Sequence, residues 1–133
     1  MSAPAGLRYA STHEWAKLDG ACVRVGLSAF AVAEIKDVVF VDLPVAGASA
    51  RAGQSFGAIE TVKAAFDLYA PVTGTVKAVN AALAGSPKTV TRDPYGEGWM
   101  IEIEAASPEA AAKEFGAMFD EAAYAAHCAA QKH

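Results

Sequence analysis

The chain has 133 residues, of which 53% are hydrophobic and 20% are charged, and its formal net charge is −4. This length is close to the commonest size of a single domain, so we expect residues 1–133 to fold as one domain without metals or disulfides. The charge lacks the basic excess that nucleic-acid binding needs, and no apolar run approaches the ~20 residues of a transmembrane helix. We therefore expect no nucleic-acid partner and no membrane partner.

The N-terminal residues and the cysteines bear on the compartment. Met1 to Gly6 carry neither the apolar core of a secretory signal nor the Arg-rich pattern of an organelle presequence, so we expect any targeting segment to have been removed. Cys22 and Cys128 are too few and too far apart in sequence for a disulfide framework or a Cys-x-x-Cys site. They are expected to be free thiols in a reducing compartment.

Alternation of apolar and polar residues predicts a mainly β body over about residues 7–104. Asp19-Gly20 predicts a hairpin turn between two of the strands. Ser28 is expected to cap a short internal helix that ends at Ile35. The predicted strands cover, in chain order, residues 7–10, 14–17, 21–25, 37–43, 55–61, 67–70, 74–79 and 99–104.

Both tryptophans are assigned to the core of this β body. Trp99, Ile101 and Ile103 alternate along the last predicted strand and are expected to share one buried face. Trp15 lies in the predicted strand 14–17. Aromatic residues at alternating strand positions more often pack than bind, so we assign neither tryptophan to a binding platform.

The composition changes after the last strand and predicts a helical part over about residues 107–130. Ser107 as N-cap with Pro108 at the first helical position begins one helix, which we expect to end at Gly116. Asp120 is expected to begin a second helix. The side chains expected to dock these helices on the β body are Phe115, Met118, Phe119 and Tyr124.

The motifs of nucleotide and metal sites are incomplete. Gly96-Glu97-Gly98 lacks the third glycine of a dinucleotide-binding turn and precedes a strand, where that motif requires a helix. His13-Glu14 lacks the second histidine of a zinc-protease helix. We therefore expect neither a metal site nor a catalytic residue of these classes.

Lys63 lies between two predicted strands, in IETVKAAFDLYAPVTG, and so at a hairpin tip. Its neighbours Val62, Ala64 and Ala65 are small and uncharged, where an ordinary tight hairpin carries Asn-Gly or Asp-Gly. This composition indicates a hairpin tip that another protein binds. A flexible lysine on a rigid hairpin suits attachment of a group-carrying cofactor, with biotin and lipoate as candidates. A solvated surface charge and an amine nucleophile are the alternatives.

The segment GAIETVKAAFDLYAPVTGTVKAVN resembles the lipoylation segment of the glycine cleavage system H protein family, with Lys63 at the modified position. Three further blocks, THEW, DVVFVDLP and DPYGEGWMIEI, resemble that family in the same order, so that the resemblance spans roughly residues 7–125. Carrier domains of 2-oxo acid dehydrogenases usually have Asp-Lys-Ala, and biotin domains have Met-Lys-Met. Val62-Lys63-Ala64 agrees with neither.

This resemblance implies a lipoyl-domain-like fold, a barrel-sandwich hybrid of two small antiparallel sheets with a short internal helix and C-terminal helices. It also implies a non-catalytic carrier with lipoate bound covalently to Lys63 by a lipoate-attaching enzyme. Its lipoyl-lysine would take an aminomethyl group from the pyridoxal-phosphate-dependent glycine decarboxylase, the P protein. It would present that group to the tetrahydrofolate-dependent aminomethyltransferase, the T protein, and be reoxidised by dihydrolipoamide dehydrogenase, the L protein.

The resemblance also implies roles for four other residues. Glu14, Asp67 and the hydroxyl of Thr12 match positions that stabilise the cationic aminomethyl group in a cleft on the carrier. Without the resemblance, both carboxylates would be interpreted as solvated charges at strand ends. Glu60 matches the acidic residue that the lipoate-attaching enzyme recognises, and a basic groove would suit it.

Three positions depart from the family pattern. Phe66 stands where the family usually has a small or polar residue, so a large ring beside the arm is expected to affect docking or partner recognition. Lys36 replaces a frequent glycine at the end of the short helix. Thr61 replaces the usual serine, which is a conservative change.

Two other functions and two compartments stay open at this stage. A lipoyl donor or relay for other lipoylated enzymes would share every motif. An enzyme that uses Lys63 as a nucleophile would need a lowered lysine pKa. The family occupies the mitochondrial matrix in eukaryotes and the cytoplasm in bacteria. The cysteine-containing helical tail favours the mitochondrial matrix, with the bacterial cytoplasm as the alternative.

Overall fold

The fold was obtained as a computed structural model that describes residues 4–35 and 37–131. Within these ranges the chain forms nine strands and five helices. They are, in chain order, β1 (Arg8–Tyr9), β2 (Glu14–Asp19), β3 (Cys22–Leu27), α1 (Ala29–Ile35), β4 (Val38–Asp42), β5 (Ser49–Ala50), β6 (Ser55–Thr61), β7 (Ala65–Tyr69), β8 (Gly74–Val79), α2 (Ala82–Gly85), α3 (Thr89–Arg92), β9 (Ile101–Glu104), α4 (Pro108–Gly116) and α5 (Glu121–Gln131).

The strands form two antiparallel sheets, as predicted. One sheet has six strands in the order β1-β2-β3-β9-β8-β5, and the other has three in the order β4-β6-β7. The sheets do not close into a barrel. The two-residue strands β1 and β5 form the edges of the six-stranded sheet; β1 lies within the predicted strand 7–10, whereas β5 was not predicted.

The main core takes side chains from both sheets. Val23 and Ile103 are fully buried on the six-stranded sheet, and Ile59 is fully buried on the three-stranded sheet. These residues occupy alternating positions, so one face of each sheet is apolar and packs into the same cluster. The alternation that predicted the strands is therefore the cause of the layered core.

The assignment of Trp15 to the core is confirmed, and that of Trp99 is confirmed only in part. Strand β9 begins at Ile101, and Met100 is fully buried in the main core while Trp99 is only half-buried. The guanidinium of Arg24 lies 4.6 Å from the Trp99 ring centroid. The alternation of buried and exposed side chains that holds from Ile101 onward therefore does not include Trp99. This residue precedes the strand and packs at the edge of a second, smaller cluster.

The turn between β2 and β3 is shifted by one residue from the prediction. Asp19 pairs with Cys22, so the two turn residues are Gly20 and Ala21. Gly20 has φ of 64°, a left-handed conformation that glycine adopts without steric cost. Strand β2 consequently extends to Asp19, two residues past its predicted end, whereas β3 begins at Cys22, one residue after its predicted start.

The predicted helix caps of the chain are confirmed. The Oγ atoms of Ser28 and Ser107 accept hydrogen bonds from the backbone N–H groups of Ala31 and Ala110, at 3.3 and 3.1 Å. Asp120 Oδ1 accepts from the N–H three residues later, at 2.8 Å. Each bond satisfies a backbone donor that has no partner within the helix. The sequence did not predict β5, α2 or α3.

The C-terminal helices dock through the four side chains predicted for them. Phe115 and Met118 pack against the main core. Tyr124 stacks on Tyr9, with ring centroids 4.3 Å apart, and the backbones of Phe119 and Tyr9 form an isolated β-bridge. The helical part is therefore attached to the edge of the six-stranded sheet.

Candidate functional site

Lys63 is an exposed residue at the tip of the β6–β7 hairpin, as predicted. The Thr61 hydroxyl accepts hydrogen bonds from the N–H groups of Lys63 and Ala64, at 3.3 and 3.1 Å, and donates to the Ala64 carbonyl at 3.1 Å. The Thr61 N–H donates to the same carbonyl at 2.8 Å. The threonine side chain thus fixes the turn, which explains why no Asn-Gly pair is needed there.

A hollow of about 330 Å³ lies beside Lys63, and we call it the lysine hollow. Within residues 4–35 and 37–131 the single ion pair joins Arg24 to Glu102, so Lys63 has no carboxylate partner there. Lys36, one of the three departures, lies outside the described residues. The residues that line the hollow are Glu34, Ile35, Asp37, Thr61, Val62, Lys63, Ala64 and Phe66.

A larger cleft of about 540 Å³ adjoins the lysine hollow, and we call it the main cleft. Its walls are mainly apolar, and its polar side chains include those of Thr12, His13 and Asp67. Three residues, Glu34, Ile35 and Phe66, line both spaces. The other lining residues of the main cleft are Leu27, Phe30, Ala31, Ile59, Ala65, Leu68 and Tyr69.

The structure brings three of the predicted site residues together. Thr12 and Asp67 line the main cleft and are exposed. Glu14 is fully buried behind them: its Oε1 accepts a hydrogen bond from the Thr12 hydroxyl, and its Oε2 accepts from the Tyr69 N–H at 2.8 Å. The interpretation of Glu14 as a solvated strand-end charge is therefore wrong.

Glu60 lies apart from this group. It is exposed on β6, paired with Phe40 on one side and Ala65 on the other, and lines neither the lysine hollow nor the main cleft. Its position close to the tip leaves its charge available to a protein that approaches the hairpin from outside.

Burial raises the pKa of the Glu14 carboxyl from 4.5 to about 7. Removal from water disfavours the charged form, and the hydrogen bonds from Thr12 and Tyr69, which favour that form, offset this only in part. The carboxyl group therefore exchanges its proton near neutral pH. A cation that entered the main cleft would favour the deprotonated form.

We expect the Glu14 carboxyl to make the free energy of unfolding depend on pH. Its pKa is higher in the folded state than in the unfolded state, so its contribution is fully present below pH 4.5 and is lost as the pH rises through about 7. The loss amounts to about 3 kcal/mol. Glu14→Gln replaces the carboxyl group with an amide of the same size. The amide still forms hydrogen bonds but does not titrate.

Urea unfolding of both proteins between pH 4.5 and 8 measures this effect. The unfolding free energy of wild type minus that of Glu14→Gln should decrease as the pH rises across this range. The variant is therefore favoured relative to wild type at high pH. Because every other titrating group is common to the two proteins, parallel pH profiles would contradict the raised pKa.

The sequence did not predict a hydrogen-bonded contact between α5 and the wall of the main cleft. The Tyr124 hydroxyl lies 2.7 Å from His13 Nδ1 and 2.6 Å from Ser28 Oγ. His13 has φ of 80°, a left-handed conformation that is uncommon for a residue with a side chain. The two hydrogen-bonded contacts of the Tyr124 hydroxyl join residues more than 90 positions apart in sequence, and no local sequence pattern predicts them.

The part of the chain that the structure describes contains neither a cluster of metal-binding side chains nor a membrane-spanning helix. No group of three or more His, Cys, Asp or Glu side chains in residues 4–35 and 37–131 has the arrangement of a metal site. No helix in the same ranges has the length and apolar character needed to span a bilayer.

Comparison with known proteins gives a consistent result. Residues 7–130 match the family described as "Glycine cleavage H-protein". The chain is 46% identical over 123 residues to the glycine cleavage system H protein of Synechococcus sp. (strain CC9902), covering 92% of each chain. It is 47% identical over 122 residues to the protein of that name from Mycobacterium avium (strain 104), covering 91% of this chain and 92% of the relative.

A solved structure agrees with the sequence comparisons. The crystal structure of a glycine cleavage system H protein from Mycobacterium marinum superposes with a TM-score of 0.82 at 33% identity. The match covers 92% of this chain and 96% of that one, and it supports the predicted lipoyl-domain-like fold class. All three of these proteins are bacterial, so they give no support to the mitochondrial matrix.

Proposed function

Since the chain belongs to the glycine cleavage H-protein family, we propose that it is a non-catalytic carrier whose Lys63 bears a lipoyl group. The observation that carries this proposal is the position of Lys63, exposed on a turn fixed by Thr61 and open to a hollow that continues into a larger cleft. An exposed amine is accessible to an attaching enzyme. The same exposure argues against a nucleophilic lysine, which needs removal from water.

The residues around Lys63 fit a lipoyl group. Ile35, Val62 and Phe66 give the lysine hollow an apolar side that suits a hydrocarbon chain. The adjoining main cleft is larger and includes polar side chains among its lining residues. When attached, the lipoyl group would supply a disulfide that accepts two electrons and a sulfur atom that carries the transferred group.

We propose that the carried group is aminomethyl and that the protein serves three enzymes in turn. It would receive the group from glycine decarboxylase (P protein), deliver it to the aminomethyltransferase (T protein) and be reoxidised by dihydrolipoamide dehydrogenase (L protein). Membership of the glycine cleavage family supports this sequence of partners. Residues 1–133 would act as one carrier domain, in a bacterial cytoplasm as the bacterial relatives favour.

The main cleft would hold the aminomethyl group and exclude water from it. That group is an amine, which is cationic at neutral pH. Asp67 would face it directly, and Thr12 would connect it to the buried Glu14 carboxyl. Because the pKa of Glu14 is about 7, we expect the cation to be held more strongly above that pH than below it.

Glu60 would act at a different stage, before the carrier is loaded. Its exposed carboxylate close to the Lys63 turn suits recognition by a basic groove of the lipoate-attaching enzyme. Since Glu60 lines neither cavity, its role would be confined to attachment.

Mass spectrometry tests the carrier proposal. The purified protein is incubated with a lipoate ligase, ATP and lipoate, and the intact mass and the peptide masses are measured. We expect one lipoyl increment, located on Lys63. A folded protein that acquires no increment, or acquires it on another lysine, would overturn the proposal. Trapping of a carbonyl substrate on unmodified Lys63 by borohydride would instead support the nucleophile.

A further inference from the structure

The residues shared by the lysine hollow and the main cleft include two apolar side chains. Ile35 at the end of α1 and Phe66 on β7 line both spaces, together with Glu34. A group attached to Lys63 that extended from the lysine hollow into the main cleft would leave one space and enter the other beside these shared residues.

Phe66 is an exposed residue although its side chain is large and apolar. Its side chain is 44% exposed, although it pairs with Ile59, which is fully buried. Ile35, which lines the same two cavities, is half-buried. Covering exposed apolar surface with another apolar group is favourable because it removes that surface from water. The hydrocarbon chain of a lipoyl group has that character.

We propose that Phe66 is a positioning residue that, with Ile35, holds the hydrocarbon part of the arm while its loaded end occupies the main cleft. This inference depends on the proposed carrier function. The Phe66 side chain takes no part in the hydrogen bonds that join Glu14 to Thr12 and Tyr69, and it would not touch the reacting atoms. It would act by prolonging the docked state, which keeps water away from the cargo.

Phe66→Ser, with Phe40→Ser as a matched control, tests this role. Phe40 has nearly the same exposure, 47%, and lies on the same three-stranded sheet, but it lines neither the lysine hollow nor the main cleft. Each protein is lipoylated, and attachment at Lys63 is verified by peptide mass. Each lipoylated protein is then incubated with glycine and glycine decarboxylase, so that it acquires the aminomethyl group, and is separated from the enzyme.

Spontaneous hydrolysis of the loaded protein is the measurement. One water molecule cleaves the carbon–sulfur bond and releases formaldehyde and ammonia, which leaves a free thiol. Removal of the ring surface that the arm would cover should accelerate formaldehyde release per loaded molecule by roughly fivefold to tenfold in Phe66→Ser. Phe40→Ser should match wild type, and Phe66→Leu should restore most of the protection because it restores an apolar contact.

The outcomes separate this inference from the carrier function. Lipoylated Phe66→Ser that hydrolyses at the wild-type rate, or more slowly, would overturn the role of Phe66 and leave the carrier proposal intact. Wild-type protein that takes no lipoate at Lys63 would instead refute the carrier proposal. Phe66→Ala provides a second truncation if the serine variant does not fold, and the same rate criterion applies to it.

Discussion

Lys63→Arg is expected to abolish glycine-dependent turnover in a system reconstituted with the P, T and L proteins, while leaving the fold unchanged. A guanidinium stays protonated and does not form the amide that attaches lipoate, so no arm is present. Residue 63 is exposed, and no salt bridge of the described residues includes its side chain, so the unfolding free energy should change by less than about 0.5 kcal/mol. Turnover is measured as glycine-dependent formation of NADH.

Lys77→Arg is the matched control. Lys77 is also exposed and lies on a strand of the same chain, but it is remote in sequence from the hairpin tip. We expect normal lipoylation and normal turnover of this variant. Turnover of Lys63→Arg well above the background without carrier would mean that the arm is attached elsewhere, and the assignment of Lys63 would fail.

Trp15→Ala is expected to lower the free energy of unfolding by about 4 kcal/mol, a large part of the stability of a small domain. Trp15 is 2% exposed, and its indole ring fits against Gly26, where an added Cβ would lie 2.6 Å from the ring. Its Nε1 donates to the Pro94 carbonyl at 3.0 Å. Truncation would therefore leave a cavity and remove the partner of a buried carbonyl.

Trp99→Ala separates this effect from a general loss of aromatic surface. Trp99 is half-buried and contacts the Arg24 guanidinium, so its truncation should lower the unfolding free energy by less than about 2 kcal/mol. Chemical denaturation of the two variants and wild type measures both values. Equal losses would contradict the distinction between a fully packed Trp15 and a peripheral Trp99.

The Lys63 hairpin was predictable because the information that forms it is local. Strand β6 has the bounds that its alternation predicted, whereas β7 covers Ala65–Tyr69 and so begins two residues before the predicted strand 67–70. The helix caps were predictable for the same reason, since a cap needs only a side chain and a backbone N–H three residues away. Short-range patterns thus determined the part of the molecule that presents Lys63.

The burial of Glu14 was not predictable from its sequence neighbours. Its carboxylate is enclosed because Tyr69, 55 positions later, brings a backbone N–H to it. Local pattern treats a glutamate at a strand end as a surface charge, and only the pairing of distant strands changes that. The same limit explains the missed strand β5 and the four-residue helices α2 and α3, which are too short to show a period.

The contact of Tyr124 with His13 and Ser28 has a consequence for the order of events during synthesis. The three strands of the sheet that presents Lys63 lie within residues 38–69, which are synthesised well before Tyr124. The wall of the main cleft near His13 receives its hydrogen-bonded support only when Tyr124 has emerged. During synthesis, the segment that presents Lys63 is therefore made before the residue that completes this support of the main cleft.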